Sequence, residues 1–442
     1  MKIKQFVLSL LIVGILSLPT LLIISGGTST PTFWNYEQHI SKEKEMGLRD
    51  KLGFNTFGDL DQLEAAIYGN KVIAAISSDY QAAKFAKNNV IQKINFDELW
   101  GLQYENSAQL KTELKKIYTP FVFDALDQAF DLTPDYLWEY VVPYFIQEKV
   151  IAFDIRKGEW TNSEKEQLLT PEGTKELFPQ KTYKGILKTL QNHGYKRIVI
   201  NDYIRDNMMI GSEISGEKFN SLPTENTYKT QIDGFKQTIE DDDGFGQLVS
   251  SNNVKFDTDG TNVLQDLIDP SKKWDTAILY NGDALDAYNA QEQFPSLEET
   301  HFVRVVFPEN PIFLIDTLII PSYINNDGHE KLLDTVYEAI NQNLFENANV
   351  TTLDDINLQE PPENYPILVN FNYVPYTLPY KIYDETIRTH YFKDEDGTDD
   401  NIAKDIYTLT SPSSDDVKNN FTQNVDDPLF TSMLFYYMLM KN

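Results

Sequence analysis

A chain of 442 residues is longer than one hydrophobic core serves, so two or more domains are expected; with 41% hydrophobic and 13% aromatic residues it can pack them. The 38 Lys and Arg against 67 Asp and Glu leave a net charge of −29, which repels nucleic acid and anionic membrane surfaces and attracts small cations. Cysteine is absent, which excludes disulfides, thiolate metal sites, a Cys nucleophile and a lipid carried on cysteine.

The first element is apolar. After Lys2 and Lys4, residues Phe6 to Ile24 carry no charge, and at about 1.5 Å per residue they span about 28 Å, close to a bilayer's hydrocarbon thickness. The stretch is long for a signal peptide and lacks an Ala-x-Ala site, so an uncleaved membrane anchor is favoured over a cleaved leader. The basic residues keep the short N-terminal side in the cytoplasm and export everything after residue 30.

Strand-like and helix-like segments then alternate, as in an α/β architecture. Strands are predicted at Lys71–Ile76, Lys149–Asp154, Arg197–Asn201, Thr276–Tyr280, Phe302–Phe307 and Pro311–Pro321. A helix follows His329, with Leu332, Leu333, Val336, Ile340 and Leu344 on one face. The stretches 102–136, 160–181 and 212–255 read as insertions or mobile loops, and Lys393–Asp400 as a solvated acidic loop. Asp257-Thr-Asp259-Gly260 does not place its glycine and a closing glutamate as a calcium loop requires, so no metal is expected. Nor is a catalytic centre: the five histidines are scattered without ligand spacing, and no nucleophile elbow or phosphate loop occurs.

One carboxylate stands out. Asp316 interrupts the apolar run Ile312-Phe-Leu-Ile-Asp-Thr-Leu-Ile-Ile320, and burying a lone carboxylate costs several kcal/mol unless donors or a cation meet it. It is either a satisfied core aspartate or a group awaiting a cationic ligand.

Several segments in order resemble the spermidine/putrescine-binding proteins of ABC importers. Phe33-Trp-Asn-Tyr-Glu-Gln-His-Ile40 is similar to their opening strand and turn, Ile73-Ala-Ala-Ile-Ser-Ser-Asp-Tyr80 to the second strand and ligand loop, and Val199-Ile-Asn-Asp-Tyr-Ile-Arg-Asp206 to a far-lobe strand ending in an acidic turn. Ala277-Ile-Leu-Tyr-Asn-Gly282 resembles their Trp-Asn-Gly element, and the Asp316 strand their hinge-crossing strand. The resemblance implies a two-lobed periplasmic-binding-protein-like (type II) fold behind the N-terminal transmembrane helix. Lobe 1 would comprise 31–146 and 315–372, and lobe 2 147–314 and 373–442. It implies no enzyme and no cofactor, but capture of spermidine or putrescine for an ABC permease and its ATPase. Asp316 would grip one ammonium, and Asp202 and Asp206 would supply the other acidic contacts. Tyr36, His39, Tyr80, Tyr280 and Tyr373 would form an aromatic box, with Glu37, Gln38 and Ser78 as polar contacts. Leu314 replaces the family's stacking tryptophan, Gln38 replaces a glutamate, and Tyr203 falls where the family has an acid. The competing readings are a same-fold receptor for another amine or a sugar, a secreted glycosidase, and a surface protein that has lost transport.

Overall fold

The computed structural model describes residues 31–441, apart from 129, 131, 133–134, 218, 220–222, 241–251, 291–300, 341–352, 354–355, 359, 394–396, 411–424 and 426. The anchor expected at Phe6–Ile24 and the helix position Leu344 lie outside the described residues. Among the described residues no helix is long and apolar enough to cross a membrane.

Among the described residues nine strands form one mixed sheet: β1 (Thr32–Tyr36), β2 (Phe54–Phe57), β3 (Val72–Ser78), β4 (Val142–Asp154), β5 (Ile198–Asn201), β6 (Val254–Asp257), β7 (Thr276–Tyr280), β8 (Val303–Val306) and β9 (Phe313–Ile319). The order is β2-β1-β3-β9-β4-β7-β5-β6, with β8 also on β4. β1 runs parallel to β2 and β3, β5 runs parallel to β6 and β7, and the middle pairings are antiparallel.

β4 organises the whole. Its first half, Val142–Glu148, pairs with β9, and its second half, Lys149–Phe153, pairs with β7. All thirteen residues are buried, as expected of a strand covered on both faces. Pro143 cannot donate to the ladder, and the register slips beside it, between Pro143 and Phe145. The strand expected at Lys149–Asp154 extends back to Val142.

Helices cover both faces, and most start at a side-chain cap: Ser41, Asp59, Ser78, Asn95, Asn106, Thr161, Thr170, Thr182, Asp259 and Asp400 each accept from a first-turn amide. Two stretches expected to be loops are structured. Residues 102–136 hold helices Ser107–Ile117 and Pro120–Gln128, whose Leu110, Leu114, Val122, Phe123 and Leu126 are buried. Residues 160–181 hold helices Asn162–Gln167 and Pro171–Leu177, flanked by buried Trp160 and Phe178. Their apolar residues are too sparse to announce a helix, yet those named here are buried. Within 212–255, helix Tyr228–Ile239 crosses helix Ile204–Ser215. A Cβ on Gly211 would overlap the Gln231 carbonyl, and one on Gly234 the Gly211 carbonyl, so the two backbones touch directly. The C-terminal helix, Asp427–Lys441, packs on Tyr228–Ile239.

Candidate functional site

A cleft of about 650 Å³ opens where β4 changes partners. One wall comes from the turn after β1 (Tyr36, Glu37, Gln38, His39) and from Leu314 and Asp316 of β9. The facing wall comes from Asn201 and Tyr203 after β5, Asp259 to Thr261, Tyr280 and Asp283, with Tyr373 and Tyr376 closing one side. Lining carboxylates are Glu37, Asp259, Asp283, Asp286 and Asp316, against Lys42 as the lining lysine. That balance favours a cation.

Asp316 is 1% exposed. The β3–β9 register sets it opposite Ser78, and the β4–β9 register opposite Phe145. Its Oδ2 accepts from Gln147 Nε2 at 2.5 Å and meets His39 Nε2 at 2.8 Å, while Oδ1 is buried with no partner. No lysine or arginine among the described residues pairs with it. A buried carboxylate oxygen without a donor is costly, and a donor-bearing ligand relieves that cost.

His39 reaches Asp316 because the preceding residue, Gln38, takes a left-handed conformation (φ 55°), which turns the chain sharply after β1. The Tyr144 hydroxyl donates to the His39 carbonyl at 3.0 Å. The imidazole packs among Tyr36, Tyr144, Phe145 and Tyr376, with ring centroids 5.1–6.3 Å away. Tyr36 lies 4.6 Å from Phe57, and its hydroxyl is buried without a partner. Burial and the nearby Asp316 charge push that phenol well above its ordinary range. Glu37 and Gln38 stand exposed at the rim, and Gln38 Oε1 accepts from the Thr261 hydroxyl across the cleft at 3.3 Å.

The structure thus brings together Asp316, Tyr36, Glu37, Gln38, His39, Tyr280 and Tyr373 on one cleft, and it places the other four candidates elsewhere. Ser78 is fully buried and caps helix Asp79–Lys87, accepting from Gln81 N. Tyr80 lines a neighbouring pocket beneath Arg205, whose guanidinium sits 4.5 Å from its ring. Asp202 accepts from the Tyr437 hydroxyl at 2.8 Å and pairs with Lys441 at 2.5 Å, both on the C-terminal helix. Asp206 pairs with Lys149 at 2.5 Å and accepts from the Tyr280 hydroxyl at 2.7 Å. The two acids of the far turn are therefore neutralised from within. The reason is local: helix Ile204–Ser215 begins directly after the turn and carries Asp206 into the core.

Asp283, Tyr376 and Asn201 were not foreseen. Tyr376 donates to Asp283 Oδ1 at 2.6 Å. Burial lifts the Asp283 carboxyl to about 6, against the smaller lowering effects of the Tyr376 bond, His39 and Lys149. Asn201 is 2% exposed, and its Oδ1 has no partner. A carboxylate directly after the Tyr280-Asn-Gly element was the available signal for Asp283; nothing in the sequence marked Tyr376. Gly282 is obligatory, since a Cβ there would enter the Tyr376 ring. Among the described residues no three His, Cys, Asp or Glu side chains gather as metal ligands.

A family model described as hypothetical lipoprotein (MG045 family) matches residues 1–429. No curated protein sequence matches. Among solved structures, a Listeria monocytogenes protein assigned as a spermidine/putrescine ABC transporter is similar with TM-score 0.55 and 16% identity, covering 93% of this chain and 99% of its own. UgpB from Mycobacterium tuberculosis, in complex with glycerophosphocholine, has TM-score 0.50 and 15% identity, with 93% and 98% covered. The fold is that of ABC-transporter solute-binding proteins, and it agrees with the α/β architecture expected from the sequence.

Proposed function

Because the chain belongs to the MG045 family of hypothetical lipoproteins, we propose that it is the extracellular solute-binding component of an ABC importer, taking spermidine or putrescine into the cleft beside Asp316. The observation that carries this reading is Asp316 itself, a buried carboxylate with one oxygen unpartnered on an acidic, tyrosine-lined cleft. A polyamine needs acceptors at its nitrogens and flat walls along its methylenes. Charge-assisted hydrogen bonds contribute about 1.5–3 kcal/mol each, and cation–π contacts about 0.5–2 kcal/mol. A micromolar ligand needs about 8 kcal/mol, within reach of two carboxylates and two or three rings.

On this reading the protein holds and releases its ligand without catalysis. The two lobes, 31–146 with 315–372 and 147–314 with 373–442, meet at β4. A permease and its ATPase receive the ligand. With no cysteine to carry a lipid, the tether is the apolar segment Phe6–Ile24, and the body faces outward.

Isothermal titration of the full-length protein with spermidine and putrescine tests the proposal. Micromolar binding of either supports it; absence of heat with both, from folded protein, rejects it. Mass spectrometry of co-purified ligand distinguishes a polyamine from another amine or a sugar.

A further inference from the structure

The far-turn acids that the resemblance assigns to the ligand's second ammonium are occupied. The Lys149 ammonium is fully buried, sits 4.4 Å from the Tyr280 ring and 5.1 Å from the Tyr203 ring, and pairs with Asp206. An ammonium boxed by two tyrosines and an aspartate is the environment a bound amine seeks, and here the chain supplies that amine itself. Asp202 is held likewise by Lys441. A ligand amine directed to this turn would have to displace a lysine.

Asp283 is in the opposite situation. It lines the cleft, and among the described residues no lysine or arginine lies within ion-pair distance of it. Its Oδ2 faces Gly260, which leaves that side uncovered: a Cβ on Gly260 would come to 2.9 Å. The His39 ring stacks toward Tyr376 at 5.1 Å, and Tyr376 bonds Asp283. Asp316 and Asp283 therefore stand at the two ends of one aromatic wall, both lacking a lysine or arginine. Two buried orphan acceptors, Asp316 Oδ1 and Asn201 Oδ1, belong to residues of the same cleft.

Resting on the polyamine reading above, we propose that the ligand's second ammonium is received by Asp283, at the head of helix Asn281–Tyr288, and not by the turn after β5, where Lys149 already supplies the cation. The groups facing Asp283 are Tyr376, His39, Lys149 of β4 and Asp259 before helix Gly260–Ile268. With its carboxyl lifted to about 6, Asp283 is about half protonated at that pH, and an arriving ammonium ionises it.

The test is calorimetry of the full-length protein with putrescine at pH 6 and pH 8, each in two buffers of different ionisation enthalpy, alongside Asp283→Asn and Asp283→Ser. Wild type is expected to release roughly half a proton per ligand at pH 6 and close to none at pH 8. Asp283→Asn, which keeps an acceptor for Tyr376, should abolish that release and should weaken putrescine at least tenfold, several times more than it weakens butylamine. Asp283→Ser, smaller and able to accept the same bond, should do likewise. Wild type that binds putrescine without proton release at pH 6, or variants with unchanged release and affinity, overturn the assignment. If wild type binds no polyamine, the proposed function itself fails, a different result.

Discussion

Substituting Glu148 by Gln separates the charge of one buried group from its shape. Glu148 lies in β4 at the last residue paired with β9 and is fully buried. Thr410 N donates to Oε2 at 2.7 Å, and the Thr410 hydroxyl bonds Oε1. Burial raises the carboxyl from 4.5 to about 8, outweighing the lowering by Thr410. The folded state therefore holds a proton that the unfolded state gives up above 4.5. Stability is fully present below that pH and is lost as pH rises to about 8, at about 1.4 kcal/mol per unit. Over the whole window the loss is about 4–5 kcal/mol. Gln reproduces the protonated acid, its amide donating to the Thr410 hydroxyl and its carbonyl accepting from Thr410 N. Glu148→Gln should therefore match wild type within about 1 kcal/mol at pH 5 and exceed it by about 3–5 kcal/mol at pH 9. Urea denaturation of both proteins at pH 5, 7 and 9 measures this. A stability difference that does not change with pH refutes the argument that Glu148 is held protonated.

Other outcomes follow from equally specific contacts. Asp316→Asn should weaken amine binding at least tenfold by calorimetry, about 1.4 kcal/mol; an unchanged dissociation constant rejects its role. Gly→Ala inside a helix ordinarily stabilises by about 1 kcal/mol, yet Gly211→Ala should destabilise by about 1–3 kcal/mol, because the new methyl meets the Gln231 carbonyl; a raised melting temperature contradicts the crossing. Lys149→Met leaves Asp206 buried and uncompensated and should cost about 3–5 kcal/mol, most of it recovered when Asp206→Asn is added. Denaturation of both variants that shows no recovery argues against the pair.

The strands were legible where the apolar run was continuous. Thr276–Tyr280 was found to the residue, and the Asp316 strand within two residues at each end. β2 and β6 were not read, because Phe54–Phe57 and Val254–Asp257 are four residues each, half of them polar, and gain their order from parallel neighbours. The first wall of the cleft was readable because a lone aspartate in a core strand is a chemical anomaly. The opposite wall was not. Whether Asp202 and Asp206 face a ligand depends on Lys441 and Lys149, which are 239 and 57 residues away in sequence, and no local pattern announces such a partner. Asp283 sits where a first-turn helix acid ordinarily does, and only the folded chain brings Tyr376 to it.

β4 is a strand of thirteen residues, about 43 Å at about 3.3 Å per residue, and it joins the β9 side of the sheet to the β7 side. On the proposed function, closure of the cleft draws on the backbone around Gln147, Glu148 and Lys149, where β4 passes from β9 to β7. Those same three residues hold Asp316, Thr410 and Asp206. Proposed grip and proposed hinge thus share one strand, so a change of charge in the cleft acts on the segment that joins its two walls.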